Sequence, residues 1–208
     1  ITGKVESKPY IDMTRAAMAL FQAPHYHTPG QIQVEGDWSN GAFFLAAKAL
    51  GSDLTVANLN ETSTQGDRAA AALLSALEEH CYIDAADIPD LVPILAVVAA
   101  HNQGAVFTNI QRLRLKESDR VSTVIEMIRS LGGSADATDD TLSVSGTGLT
   151  GGTVNSHNDH RIAMAAAIAA TVCSKPVTIL GAEAVNKSYP GFWDEYHRLG
   201  GHYEKFIR

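Results

Sequence analysis

The chain is poor in cysteine, has no long apolar run and carries no surplus of positive charge. Cys81 and Cys173 are its only cysteines, and both stand beside apolar stretches. Two such residues read as reduced thiols in preference to a disulfide scaffold, and no Cys/His spacing suits a metal. The longest apolar runs, residues 91–100 and 162–173, fall short of the ~20 residues that a bilayer-spanning helix needs. No basic leader followed by an apolar core opens the chain, so no signal peptide is read and a cytoplasmic location is expected. With 16 basic against 23 acidic residues the net charge is −7. That balance gives no broad positive face for nucleic acid. A glycine-rich phosphate loop is absent too: Gly146, Gly148, Gly151 and Gly152 fall in a Ser/Thr-rich turn region without a lysine. Residue 1 is Ile, and the chain reads as a piece of a longer one.

What is present is a substantial apolar fraction, 45% of 208 residues. That is enough for a sizeable core in one large domain or two small ones. The pattern repeats three times. The first copy starts at Glu35-Gly36-Asp37, with an apolar helix expected over 41–50, a strand over 54–59, a polar loop over 60–67 and a second helix over 68–79. The second starts at Ile88-Pro89-Asp90, with a helix over 91–100, a strand over 105–110, a charged loop, a helix over 121–131 and a hairpin turning at Asp139-Asp140. The third starts at Asn158-Asp159-His160, with a helix over 161–173, a strand over 177–180, a helix over 192–199 and a last strand near 202–206. The first helix of each copy is apolar nearly all round, which marks it as buried. The second is amphipathic, with Val121, Val124, Ile125, Ile128 and Leu131 on one stripe. Two of the helices end in Leu-Gly-Gly, a stop signal. The expected fold is α/β (α+β), with three repeated units around buried helices.

Charge concentrates in one stretch, Arg112-Leu113-Arg114-Leu115-Lys116-Glu117-Ser118-Asp119-Arg120. Bland explanations exist for each neighbour. Asp90 precedes an apolar helix, where an N-cap carboxylate belongs. Asp119 and Ser118 could cap the next helix, Lys116 and Glu117 could be solvated charges, and Arg161 could pair with Asp159 alone. Against this stands position. Asp90, Lys116 to Arg120, His160-Arg161 and Lys187 occupy equivalent places in the repeat, at helix starts or in loops leaving strands. Packing around one axis would gather them at one end, together with helix N-termini. Such a set suits a phosphorylated, carboxylated ligand and leaves carboxylates for proton transfer. His157, Asp159 and His160 make a poor metal site, because one short segment supplies all three and arginines flank it.

At these residues the chain resembles the 5-enolpyruvylshikimate-3-phosphate synthase family (3-phosphoshikimate 1-carboxyvinyltransferase). The resemblance is carried by Ser7-Lys8-Pro9-Tyr10-Ile11-Asp12, Val34-Glu35-Gly36-Asp37, Ile88-Pro89-Asp90, Leu115-Lys116-Glu117-Ser118-Asp119-Arg120, Asn158-Asp159-His160-Arg161-Ile162-Ala163-Met164 and Asn186-Lys187-Ser188-Tyr189-Pro190. It implies an enolpyruvyl transferase-like domain of βαβαββ-type units. Residues 1–33 would be the tail of an N-terminal domain and residues 34–208 most of the C-terminal domain. The implied activity moves the enolpyruvyl group of phosphoenolpyruvate to the 5-hydroxyl of shikimate 3-phosphate, releasing phosphate, with no metal or organic cofactor. By the same resemblance Asp90 is the base, Glu117 the acid and Lys116 a ligand to shikimate 3-phosphate. Arg120, Arg161 and Lys187 form a clamp on phosphoenolpyruvate, with His160 beside it. Ser7 and Tyr10 lie near the shikimate phosphate.

The family's N-terminal half has no counterpart here, so the expected partners are the two substrates and that half. The chain is also shorter than the family around Ala23-Pro24-His25 and between Leu77 and Ile88, where a strand hairpin is expected. Arg112 stands where relatives can have an amide. Two other readings are a sugar-nucleotide (UDP-N-acetylglucosamine) enolpyruvyl transferase of the same fold and a non-catalytic half-site or structural fragment.

Overall fold

The structure is a computed structural model that describes residues 7–22 and 24–206. The first six residues of the expected N-terminal tail, and Ala23 in the first short region, lie outside the described residues. In chain order the helices are α1 (Lys8–Leu20), α2 (Trp38–Ala49), α3 (Ala70–Ala76), α4 (Val92–His101), α5 (Arg120–Ser130), α6 (His160–Ala169) and α7 (Phe192–Arg198). The strands are β1 (Cys81–Asp84), β2 (Gly104–Thr108), β3 (Ser134–Ala137), β4 (Thr141–Ser145), β5 (Gly152–Asn155) and β6 (Val177–Leu180).

Aspartates start three of these helices. Asp37 accepts from the Ser39 and Asn40 N–H groups at 2.8 and 3.2 Å, opening α2. Asp119 accepts from those of Val121 and Ser122 at 3.1 and 3.3 Å, opening α5. Asp159 accepts from that of Arg161 at 2.9 Å, opening α6. Each such cap contributes ~1 kcal/mol. Asp90 is different. Pro93 lies in the first turn of α4 and Leu91 is its cap residue, with no side-chain cap. Asp90 therefore lies before the cap position and its carboxylate is turned elsewhere.

Both Leu-Gly-Gly signals close helices as expected. Gly132 and Gly200 have φ of 86° and 98°, a region that favours glycine. Gly133 N–H returns to Ile128 O at 2.9 Å and Gly132 N–H to Arg129 O at 3.0 Å, and Gly201 and Gly200 repeat the pattern on Tyr196 and His197. This paired closure satisfies carbonyls left over at the helix end.

The core is built on α2, α4 and α6, which pack on one another. All ten residues of α6 are buried, as are Val92 through Ala100 of α4. A helix without a polar face has nowhere else to go. One sheet has the order β1-β2-β4-β3: β1 runs parallel to β2, and the β3–β4 hairpin adds antiparallel pairs. A second, two-stranded sheet pairs β5 with β6 in parallel. Helix α5 lies against β3 and β5, burying Val121, Val124, Met127 and Ile128.

The second copy, read from Ile88, holds α4-β2-α5-β3-β4, and β1 lies just before it. The other two are less regular. Residues 54–59, expected as a strand, join no ladder and turn at Asn58, whose φ is 62°, and residues 202–206 form no strand. Conversely, β1 occupies the region between Leu77 and Ile88, and β5 follows the glycine-rich turn read as loop.

Candidate active site

The charged stretch folds as a 3-10 turn, Gln111–Leu115, leading to the start of α5. Leu113 is buried, and this pins the turn. Arg112 is exposed. Arg114 reaches the Asp119 carboxylate at 3.4 Å and the Thr138 carbonyl at 3.3 Å. The inward members are Lys116, Glu117 and Arg120.

Arg120 is the centre. Its side chain is fully buried. Nε donates to Asp159 Oδ2 at 2.8 Å and Nη2 to Oδ1 at 3.3 Å, while Nη1 donates to Asp90 Oδ1 at 2.5 Å. Nη2 also donates to Glu117 Oε2 at 2.6 Å. One guanidinium, at the first residue of α5, thereby joins the loop before α4 and the cap of α6. Arginine can do this because its planar fork presents five N–H groups. Ser118 adds a hydroxyl to Asp159 Oδ2 at 3.0 Å.

Asp90 collects the remaining cations. Lys116 Nζ lies 3.1 Å from Oδ1, Arg161 Nη2 donates to Oδ2 at 3.1 Å, and the Tyr10 hydroxyl donates to Oδ2 at 2.9 Å. Burial opposes ionisation of Asp90, but Arg161, Arg120 and Lys116 outweigh it and hold its carboxyl well below the usual range. Asp159 is also lowered: burial opposes, and the Arg120 bond and charge prevail. Burial first, then Asp90, raises Tyr10 far above its ordinary value. Burial, reinforced by Arg161, lowers His160 and favours the neutral imidazole.

Among the described residues several buried polar atoms at the site have no hydrogen-bond partner: Arg161 Nε and Nη1, His160 Nδ1 and Ser7 Oγ. A buried polar atom without a partner costs ~1–3 kcal/mol, so these atoms fit a site that an anion completes. Glu117 is the most accessible of the three carboxylates on Arg120, at 39% exposure.

Asp90, Lys116, Glu117, Arg120, Arg161 and Tyr10 thus lie in one cluster, with His160 beside it. Ser7 is buried at the foot of α1, where its N–H meets the Ala86 carbonyl at 3.3 Å. Lys187 stands apart, its Nζ donating to the Asn158 carbonyl at 2.5 Å. His157 faces Glu126 at 3.0 Å while Asp159 faces Arg120, so the three possible metal ligands of that segment do not converge. Among the described residues no group of His, Cys, Asp and Glu could hold a metal ion, and no helix is long and apolar enough to cross a membrane.

Asp159, read from the sequence as a possible partner of Arg161, is instead the main side-chain partner of Arg120. Asp67, a buried carboxyl beside the cluster, escaped the sequence reading. Asp67 lies at the equivalent place of the first copy, in the loop before its second helix, and that repeat position was the available signal. An open cleft of 740 Å³ adjoins its turn, between Pro9 and Asp12 of α1, Trp38 and residues 61–72.

Residues 76–196 match the model of the EPSP synthase (3-phosphoshikimate 1-carboxyvinyltransferase) family. The chain is 36% identical over 235 residues to the 3-phosphoshikimate 1-carboxyvinyltransferase of Clostridium perfringens, covering 97% of the chain and 55% of that protein. It is 39% identical over 232 residues to that of Clostridium acetobutylicum, covering 97% and 54%. The chain therefore spans about half the length of the curated relatives it matches. Both alignments are longer than the chain's 208 residues, so the relatives carry internal segments that it lacks. Among solved structures, EPSP synthase from Acinetobacter baumannii superposes with a TM-score of 0.59 at 26% identity, covering 82% of this chain and 47% of that one.

Proposed function

The chain belongs to the EPSP synthase family, and from that premise we propose that it supplies half of an enolpyruvyl transfer site. In the whole enzyme that site joins phosphoenolpyruvate to the 5-hydroxyl of shikimate 3-phosphate and releases phosphate. The observation that carries the proposal is the Arg120 junction: the two carboxylates suited to proton transfer, Asp90 and Glu117, hang on one buried guanidinium.

In this reading Glu117, half exposed, gives its proton to the methylene carbon of phosphoenolpyruvate. The central carbon becomes electrophilic. Asp90 takes the proton of the attacking 5-hydroxyl, and the new C–O bond gives a tetrahedral intermediate. Glu117, now a carboxylate, takes back a methyl proton, which restores the double bond as the C–O bond to phosphate breaks and phosphate leaves. Arg161 offers Nε and Nη1 to the anionic substrate. Arg120 contributes its Nη2 edge once Glu117 turns outward, and Lys187 joins after leaving the Asn158 carbonyl. Lys116, Ser7 and Tyr10 receive shikimate 3-phosphate, and neutral His160 supports the clamp. Three cations leave Asp90 a weak base in the free site. Substrate anions that draw Arg161 and Lys116 away would restore its basicity.

The other half of the cleft is the proposed partner. Helix α1 supports this, because no residue of it is buried and Met13, Met18 and Leu20 are exposed. A cytoplasmic location belongs to the same proposal. The test is phosphate release from phosphoenolpyruvate and shikimate 3-phosphate, with and without a separately produced N-terminal half from a relative. The expected result is negligible release by the chain alone and turnover when the halves are combined, since positioning by two half-sites is cooperative. Equal turnover without the second half would overturn the half-site reading. Turnover with UDP-N-acetylglucosamine in place of shikimate 3-phosphate would overturn the substrate assignment.

A further inference from the structure

Asp159 is the carboxylate on Arg120 that the catalytic scheme leaves unused. Its side chain is fully buried, whereas those of Asp90 and Glu117 are 13% and 39% exposed. Four donors fill it. Oδ2 accepts from Arg120 Nε at 2.8 Å and from the Ser118 hydroxyl at 3.0 Å. Oδ1 accepts from the Arg161 backbone N–H at 2.9 Å and from Arg120 Nη2 at 3.3 Å. One oxygen thus caps α6 and touches the guanidinium at the start of α5. The chain delivers this carboxylate through a costly turn. His157 and Asn158, neither a glycine, have φ of 49° and 57°, and strained backbone of that kind gathers at functional sites. Asn155 Oδ1 accepts from the His157 N–H at 2.9 Å and Ser156 Oγ from that of Asn158 at 3.2 Å, which holds the turn.

The five N–H groups of Arg120 are all engaged. Nε goes to Asp159, Nη1 to Asp90 and, at 3.5 Å, to the Pro89 carbonyl, and Nη2 to Glu117 and Asp159. A substrate anion can therefore reach this buried guanidinium only by exchange. We propose that Asp159 is the positioning residue of the anion clamp: it is the partner that Arg120 keeps while Asp90 and Glu117 are exchanged for substrate, and by capping α6 it keeps Arg161 in register with Arg120. The proposal rests on the reading of the site as a clamp on phosphoenolpyruvate. A buried guanidinium stripped of every carboxylate is strongly unfavourable, so one must stay. Glu117 and Asp90 both reach solvent and can turn toward it. Asp159 has no such route, and its departure would also undo the cap of α6.

The first test follows exchange of the Arg120 Nε–H with water by NMR in the 208-residue chain, the resonance being assigned through its side-chain carbons. Slow exchange is expected in the wild type. Asp159→Asn should speed it at least tenfold, and Asp90→Asn and Glu117→Gln by less than threefold. Tenfold faster exchange in either of the latter two overturns the proposal, and that holds even if Asp159→Asn fails to fold. Adding phosphoenolpyruvate should shift the Arg161 Nε–H and leave the Arg120 Nε–H slow; loss of that protection on binding also overturns it. In the enzyme assembled from two halves, Asp159→Asn should raise KM for phosphoenolpyruvate at least tenfold and KM for shikimate 3-phosphate less than twofold, with Asp159→Glu recovering part of the loss. A merely structural role would raise both, and that result refutes the idea. If phosphoenolpyruvate shifts neither arginine, in the chain or in the assembly, the clamp reading fails, while Nε–H exchange in the free chain still decides which carboxylate Arg120 keeps.

Discussion

Replacing Asp67 by Asn should make the protein more stable at neutral pH, although the substitution removes a charge from the site. The carboxyl lies at about 6 instead of its ordinary 3.8. The folded protein therefore binds that proton more tightly than the unfolded chain does. Stability from this group is complete below about pH 4 and is lost as pH rises through 6. At 1.36 kcal/mol per pH unit, moving a carboxyl from 3.8 to about 6 corresponds to ~3 kcal/mol. Asn cannot ionise, matches the shape, and keeps an oxygen for the Ser39 hydroxyl. Urea unfolding at pH 4, 6 and 8 reads the difference directly. The two proteins should nearly coincide at pH 4. At pH 8 the variant should unfold at ~1 M more urea, from a slope of ~3 kcal/mol/M for a chain of this size. Parallel profiles across that range, or a variant less stable at pH 8, would show that Asp67 is not strained by ionisation.

Two further outcomes follow from the same geometry. Arg120→Ala leaves Asp90 and Asp159 facing each other without their shared guanidinium, and should cost ~3–5 kcal/mol in urea unfolding; Arg120→Lys should recover little, since one ammonium cannot span three carboxylates. Gly66→Ala drives a methyl group into the Pro9 ring and the Asp87 carbonyl; it should cost ~1–3 kcal/mol and speed proteolytic cleavage within α1, and a cleavage rate equal to the wild type would refute the clash.

Local signals carried the helices well. The unbroken apolar faces of α4 and α6 foretold burial, and Leu131-Gly132-Gly133 and Leu199-Gly200-Gly201 foretold the closures. The strands were harder. Residues 54–59 alternate suitably, yet a strand needs a neighbour, and here Asn58 takes a φ of 62° while its carbonyl accepts from the Gly36 N–H. Asp90 looked like a cap because Pro89-Asp90 precedes the apolar run. The proline at Pro93 moves the helix start to Val92, and this frees the carboxylate for Arg120 and Arg161. Asp67 was hidden because Gln65-Gly66-Asp67 looks like a polar loop. Its burial comes from α1 and α2 closing over it, which no local pattern records. The charge of Arg120 was legible, but its full burial beneath Glu117, as the hub of three carboxylates, was not.

The attachment of α1 has a mechanical side. Among the described residues the helix is bonded to the rest of the fold at its foot, by Ser7 on Ala86, the Lys8 N–H on Asp87 at 2.9 Å and Tyr10 on Asp90. Thirteen residues at 1.5 Å each make an arm of ~20 Å. Tilting such an arm by about ten degrees swings its tip by over ~3 Å while the foot barely shifts. The hydroxyl of Tyr10 rides on that foot, so a tilt imposed at the far end of α1 would be passed through Tyr10 to the Asp90 carboxylate.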